Sequence, residues 1–145
     1  MDIEERLARL EAVESIRRLK ARYCDICDAG HDPERIVDLF ADDGVWEYVG
    51  QGAYRGHAQI RANFERLAAT VAFSQHNAVN LDLVVDGNSA TGTWHFLGLI
   101  ALHDGVPRLT AARYEETYVC QDGEWKIQHL RAVRLAHAEL PSLIH

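Results

Sequence analysis

Three Asp-Gly dipeptides punctuate the second half of the chain: Asp86-Gly87, Asp104-Gly105 and Asp122-Gly123. Between alternating runs this dipeptide is a strong hairpin signal, because the tight turns that suit twisted strands need positive φ. The flanking runs fit. Val79, Leu81, Leu83 and Val85 alternate with Asn80 and Asp82, and "ATGTWHFLGLIALH", "RLTAARYEETYVC" and "EWKIQHLRAVRLAH" follow as three long strand candidates. Consecutive strands joined by tight turns form an antiparallel meander.

The first half has a different period. Ile3, Leu7, Leu10, Val13, Ile16, Leu19, Tyr23 and Cys27 recur every three or four residues. That spacing predicts a helix of about seven turns with one apolar stripe. Gly30 is its stop signal. Asp32-Pro33 reads as the cap and first turn of a short second helix, Pro33 to Phe40, ended by "ADDG". "VWEYVG" and "GAYRG" are short strand candidates. "HAQIRANFERLAATV" places Ile60, Phe64, Leu67 and Ala68 at helical spacing. Helices segregated from strands imply an α+β domain, expected to span residues 1–145. The strands are apolar on both faces, with Trp94, Phe96 and Ile100 on one and Leu97, Leu99 and Ala101 on the other. One face would cover a pocket. The other would meet a partner subunit, since large exposed apolar patches are uncommon on monomers.

Composition narrows the function classes. A chain of 145 residues buries roughly 70% of its unfolded surface and needs no metal or disulfide to fold. The net charge of −7, from 22 acidic and 15 basic residues, disfavours nucleic-acid and anionic-membrane partners. The N-terminus is charged from its second residue, unlike a signal peptide, and no apolar run is long enough to span a bilayer. Three cysteines are read as reduced thiols in a cytoplasm. Cys24-x-x-Cys27, with Asp28 and His31 beside it, raises the question of a metal. No second CxxC or close His pair accompanies it, so no metal and no cofactor are expected.

The segments "IRRLKARYCDICDAGHDPERIVDLFADDGVWEY", "YRGHAQIRANF", "FSQHNAVNLDLVVDGNSATGTW" and "YEETYVCQDGEWKIQH" resemble the SnoaL-like branch of the nuclear-transport-factor-2-like superfamily, from about Val13 to Val133. The resemblance implies a cone in which a curved antiparallel sheet wraps three helices around an apolar pocket, assembled as a homotrimer or, second, a dimer. Within the branch the chain is similar to bile acid 7α-dehydratase, scytalone dehydratase, hexachlorocyclohexane dehydrochlorinase and polyketide cyclases. The Tyr–Asp pair of the bile acid enzyme matches Tyr23 and Asp28, its His matches His76, and its Arg matches Arg134. The other two named lyases match at Asp28 and His76. A pocket tyrosine of scytalone dehydratase matches Tyr48. Trp46, Trp94 and Tyr114 complete the candidate substrate contacts.

These residue types suit one chemistry. A neutral imidazole can take a proton from carbon beside a carbonyl, and a carboxylate on its other nitrogen fixes the tautomer and stabilises the imidazolium. Tyr23 lies on the apolar stripe, where it is either a core residue or a donor to substrate oxygen. Arg134 shares strand parity with Leu130, Ala132 and Ala136, so it pairs with Glu115 or Glu116 or else binds a ligand. Periodicity alone puts Asp28 off the stripe; only the resemblance aims it inward. The expectation is a cofactor-independent lyase of dehydratase type acting on a hydrophobic cyclic hydroxy-ketone. Isomerisation, dehydrochlorination and cyclisation use the same base. A non-catalytic subunit of the ring-hydroxylating dioxygenase type is the alternative from another class.

Overall fold

A computed structural model describes residues 1–144; His145, the last residue of the expected domain, lies outside them. Helix α1 runs Ile3–Asp28, α2 Pro33–Val37 and α3 Gly56–Thr70. Strands are β1 Phe40–Tyr48, β2 Gly52–Arg55, β3 Val71–Asp86, β4 Ser89–Leu102, β5 Pro107–Gln121 and β6 Glu124–Glu139. All six form one sheet in the order β2-β1-β6-β5-β4-β3.

Local chemistry explains the elements. Asp2 and Glu5 form a reciprocal capping box at the start of α1. Asp32 accepts from the backbone N–H groups of Glu34 and Arg35, with Pro33 in the first turn of α2. Gly87, Gly105 and Gly123, and Asp122 with them, sit at positive φ in the three turns. The meander β3-β4-β5-β6 therefore follows the Asp-Gly pattern.

Two expectations need correction. The short helix ends at Val37, and "ADDG" belongs to β1. There the register slips between Phe40 and Val45. Gly44 allows this close approach, because a Cβ on it would stand 2.9 Å from the carbonyl oxygen of Ala41. The sheet is also mixed: β1 pairs parallel to β6. After β2, α3 carries the chain to the far edge, and the meander returns to lie beside β1 with its last strand running the same way.

One face of the sheet packs on α1. Tyr114, Glu116 and Tyr118 of β5 and Trp94 and Phe96 of β4 point into it, and all are buried. They meet Ile16, Leu19, Tyr23 and Cys27 from α1 and Ile60 and Phe64 from α3. The opposite face leaves Val79, Val84, Leu97 and Leu109 exposed. Within the first two turns of α1, Ile3, Leu7 and Leu10 are exposed too, so the stripe is buried only from Ala12 onward. Among the described residues no helix is long and apolar enough to cross a membrane.

A charged pair lies inside this core. Lys20 Nζ donates to Glu116 Oε2 at 2.5 Å, with both side chains at 1% exposure or less. Tyr118 donates to the other Glu116 oxygen, and Trp94 Nε1 donates to the Tyr118 hydroxyl at 3.0 Å. The ammonium also lies 3.3 Å from the ring centre of Tyr114. Removing one partner strands an uncompensated buried charge. Lys20→Met is expected to cost about 3–5 kcal/mol in chemical denaturation. Lys20→Met combined with Glu116→Leu is expected to recover a large part of that loss.

Candidate active site

The site is built where α1 ends. Ala29 N–H donates to Asp25 and His31 N–H donates to the carbonyl of Ile26. Gly30 and His31 then both adopt positive φ, 109° and 59°. For a non-glycine residue this conformation costs about 1–2 kcal/mol. The turn folds the His31 side chain back under the helix end, where it is 5% exposed.

Asp28, in the last turn, faces the start of β3. Its Oδ1 and Oδ2 accept the backbone N–H of His76 at 3.0 and 2.9 Å. Oδ1 also accepts from Ser74 Oγ at 3.1 Å and lies 2.6 Å from His76 Nδ1. A carboxylate only accepts, so Nδ1 carries a proton, and in the neutral ring the lone pair is on Nε2. The side chains of His76 and Asp28 are 10% and 26% exposed, which puts the pair at a mouth, not deep in the core. His76 stands opposite Gly98 in the ladder, on the same face as Phe96 and Trp94. Gly98 has no Cβ to obstruct the ring of Phe96, which lies 5.2 Å from the His76 ring. A cleft of about 400 Å³ opens beside the pair, lined by Lys20, Cys24, His76, Ala78 and Trp94 among others. A separate cavity of about 680 Å³, under the first half of α1, holds none of these groups.

From His76 an aromatic chain runs inward. Phe96 contacts Tyr114 edge-on at 5.7 Å, and Tyr114 contacts Tyr23 at 6.2 Å. The Tyr23 hydroxyl accepts from Trp46 Nε1 at 2.8 Å and lies beside the Cys27 thiol, to which it can donate. Burial pushes the Tyr23 and Tyr114 hydroxyls well above the usual phenol range. Tyr48 is half-buried; burial raises its pKa and the nearby Arg134 charge opposes that rise. Arg134 lies opposite Ala112, beside a register slip that keeps it on the concave face. It is exposed and has no hydrogen bond or ion pair among the described residues. The pairing expected for it falls elsewhere: Glu115 takes Arg131 and Arg113, and Glu116 takes Lys20.

The structure thus brings His76 and Asp28 into contact and joins Tyr23 to Trp46. Trp94 lines the cleft, while its indole N–H is committed to Tyr118. Two residues of the site, Lys20 and Ser74, escaped the sequence reading, and two more, Glu116 and His31, entered it in other roles, as a partner for Arg134 and beside the CxxC pair. Lys20 and Glu116 did leave a signal. Lys20 sits beside Leu19 on the apolar stripe, and Glu116 alternates with Tyr114 and Tyr118. Two charges on facing apolar surfaces imply each other.

Cys24 and Cys27 are buried free thiols. Burial raises Cys24 to about 11, against the pull of Lys20, and raises Cys27 further. Cys27 Sγ, one His31 nitrogen and one His76 nitrogen lie within 4.8 Å of one another, a candidate set of metal ligands among the described residues.

The model of the SnoaL-like domain matches residues 8–131. The chain belongs to the SnoaL-like family. A crystal structure of a type 2 hexachlorocyclohexane dehydrochlorinase is 26% identical, with a TM-score of 0.87 over 94% of each chain. The type 3 dehydrochlorinase from Novosphingobium barchaimii LL02 is 25% identical, with a TM-score of 0.85 over 94% of this chain and 95% of that one. A scytalone dehydratase-like protein from Novosphingobium aromaticivorans superposes with a TM-score of 0.83 over 91% of this chain and 89% of that one, at 19% identity, and shows the fold alone. Among curated sequences, ribosomal RNA large subunit methyltransferase I of Vibrio parahaemolyticus is 34% identical over 92 residues, or 59% of this chain. The chain spans 22% of the length of that relative. In the dehydrochlorinases this scaffold carries lyase chemistry.

His31 gives a pH test. Burial, then the neighbouring His76, lower its pKa to about 4, while Asp28 opposes the shift. As pH falls below about 6.5 the unfolded chain takes up this proton and the folded one does not, so stability is lost until the pH reaches about 4. The loss assigned to this group is at most about 3 kcal/mol. His31→Gln is expected to flatten the difference in unfolding free energy between pH 6.5 and 4 relative to wild type, measured by urea titration with a chelator present.

Proposed function

We propose that the chain is a cofactor-independent lyase of dehydratase type, acting on a hydrophobic cyclic or polycyclic hydroxy-ketone. The observation that carries this reading is the 2.6 Å contact between His76 Nδ1 and Asp28. It leaves Nε2 as the base. His76 would take a proton from carbon beside the substrate carbonyl while Asp28 stabilises the imidazolium that forms. The carbonyl oxygen gains charge as the proton leaves. Tyr23, with its oxygen already accepting from Trp46, and Arg134, with no hydrogen bond or ion pair among the described residues, are the groups assigned to that charge. The imidazolium then gives its proton to the departing β-hydroxyl, which leaves as water as the double bond forms. Trp46, Tyr48, Trp94 and Tyr114 would hold the apolar rings.

The likeness to the dehydrochlorinases favours one second reading, in which the same base removes a proton beside a carbon–chlorine bond and chloride leaves. The net charge of −7 argues against an RNA substrate of the kind named for the methyltransferase relatives. The exposed apolar residues of the convex sheet face, Val79, Leu97 and Leu109, support a homo-oligomer, with a trimer as the first reading and a dimer as the second.

Hydroxysteroids, aromatic polyketide intermediates and halogenated cyclohexanes form the substrate panel. On whichever is turned over, His76→Ala is expected to lower kcat by about 10²–10⁴. Asp28→Asn should lower kcat with little change in KM. Full turnover by His76→Ala would sink the proposal. Sedimentation velocity checks the assembly, where a trimer is expected and a monomer at micromolar concentration would exclude it.

A further inference from the structure

The base chemistry uses His76 and Asp28 but leaves Cys27 and His31 without a role. Both are buried, at 2% and 5% exposure. No hydrogen bond to a ring nitrogen of His31 occurs among the described residues; its ring meets only those of Phe64 and His76. His31 is held there in a backbone conformation that L residues rarely adopt. A strained backbone that brings this ring beside two further donor groups points to a ligand.

We propose that Cys27, His31 and His76 form a binding site for a thiophilic divalent cation of the zinc class, with three protein ligands and one open position. Their donor atoms lie within 4.8 Å of one another. Ligands of tetrahedral zinc stand about 3.5 Å apart, so closing the site takes side-chain rotations of about 1 Å. The spacing Cys27-x-x-x-His31 straddles the end of α1, and the third ligand comes from β3. Asp28 holds Nδ1 of His76, which fixes the ring and makes Nε2 the stronger donor, as a carboxylate does behind a metal-binding histidine. One sulfur and two imidazole nitrogens select zinc-class ions over magnesium or calcium.

The site differs from the half-site that the sequence suggests. Cys24 is not in it, and CxxC plays no part. The cation would occupy the His76 lone pair that the base needs, so bound metal and proton abstraction exclude each other. Binding itself does not depend on His76 being catalytic.

Cobalt(II) is the probe, titrated into reduced protein and followed by the thiolate-to-cobalt charge-transfer band in the near ultraviolet. Wild type is expected to bind one cobalt per chain with that band, and zinc should bleach it. Cys27→Ala should abolish the band, Cys24→Ala should leave it, and His31→Gln and His76→Gln should each weaken binding by about 10-fold or more. Circular dichroism checks that each variant folds; if Cys27→Ala does not, His31→Gln and His76→Gln decide. Absence of the band in wild type, its survival in folded Cys27→Ala, or unchanged affinity in both histidine variants overturns the site.

Discussion

The carboxylate of Asp28 joins the last turn of the long helix to the edge strand of the sheet. It accepts the His76 backbone N–H, the Ser74 hydroxyl and the His76 ring N–H. Edge strands present unpaired backbone donors, and here one such donor is taken by the helix end instead of a neighbouring strand. The same bonds set the height of α1 over the sheet and the tautomer of His76. Structure and candidate chemistry therefore rest on one side chain. That coupling explains why the pair sits at a mouth: the carboxylate must reach a backbone edge, and edges lie at the rim of the fold.

Deeper in, the Lys20–Glu116 pair performs a different task. A buried ion pair is weak evidence for stability, because desolvation offsets the Coulomb gain. Here it fixes how α1 sits over β5, since the Lys20 ammonium also rests on the Tyr114 ring. Tyr114 in turn contacts both Phe96 and Tyr23. The aromatic chain that leads from His76 to Tyr23 and Trp46 is thus held at its middle by a charge.

Much of the fold is legible in the residues. The stripe from Ile3 to Cys27 marks α1, and the Asp-Gly turns mark the meander. Ile3, Leu7 and Leu10 show the limit of that reading, for they continue the stripe yet stay exposed. Periodicity reports which side of a helix is apolar, not how far the sheet beneath it extends. The strand β1 was misread at "ADDG" because its composition signals a turn, while the backbone there follows β6 with a slipped register.

For the site, the residues alone determined the helix that carries Tyr23 and Asp28 and the parity that puts Arg134 with Ala132, while the resemblance put His76 at the start of a strand. They could not determine that Asp28 turns to His76, 48 positions away, because helical phase sends it off the buried stripe. Tertiary structure decided it, since only the packing of α1 on β3 supplies the backbone N–H groups that a carboxylate at a helix end needs. The same holds for Cys27. In the sequence its conspicuous partner is Cys24; in the fold its neighbours are His31 and His76, because the positive φ angles at Gly30 and His31 fold the chain back on the helix end.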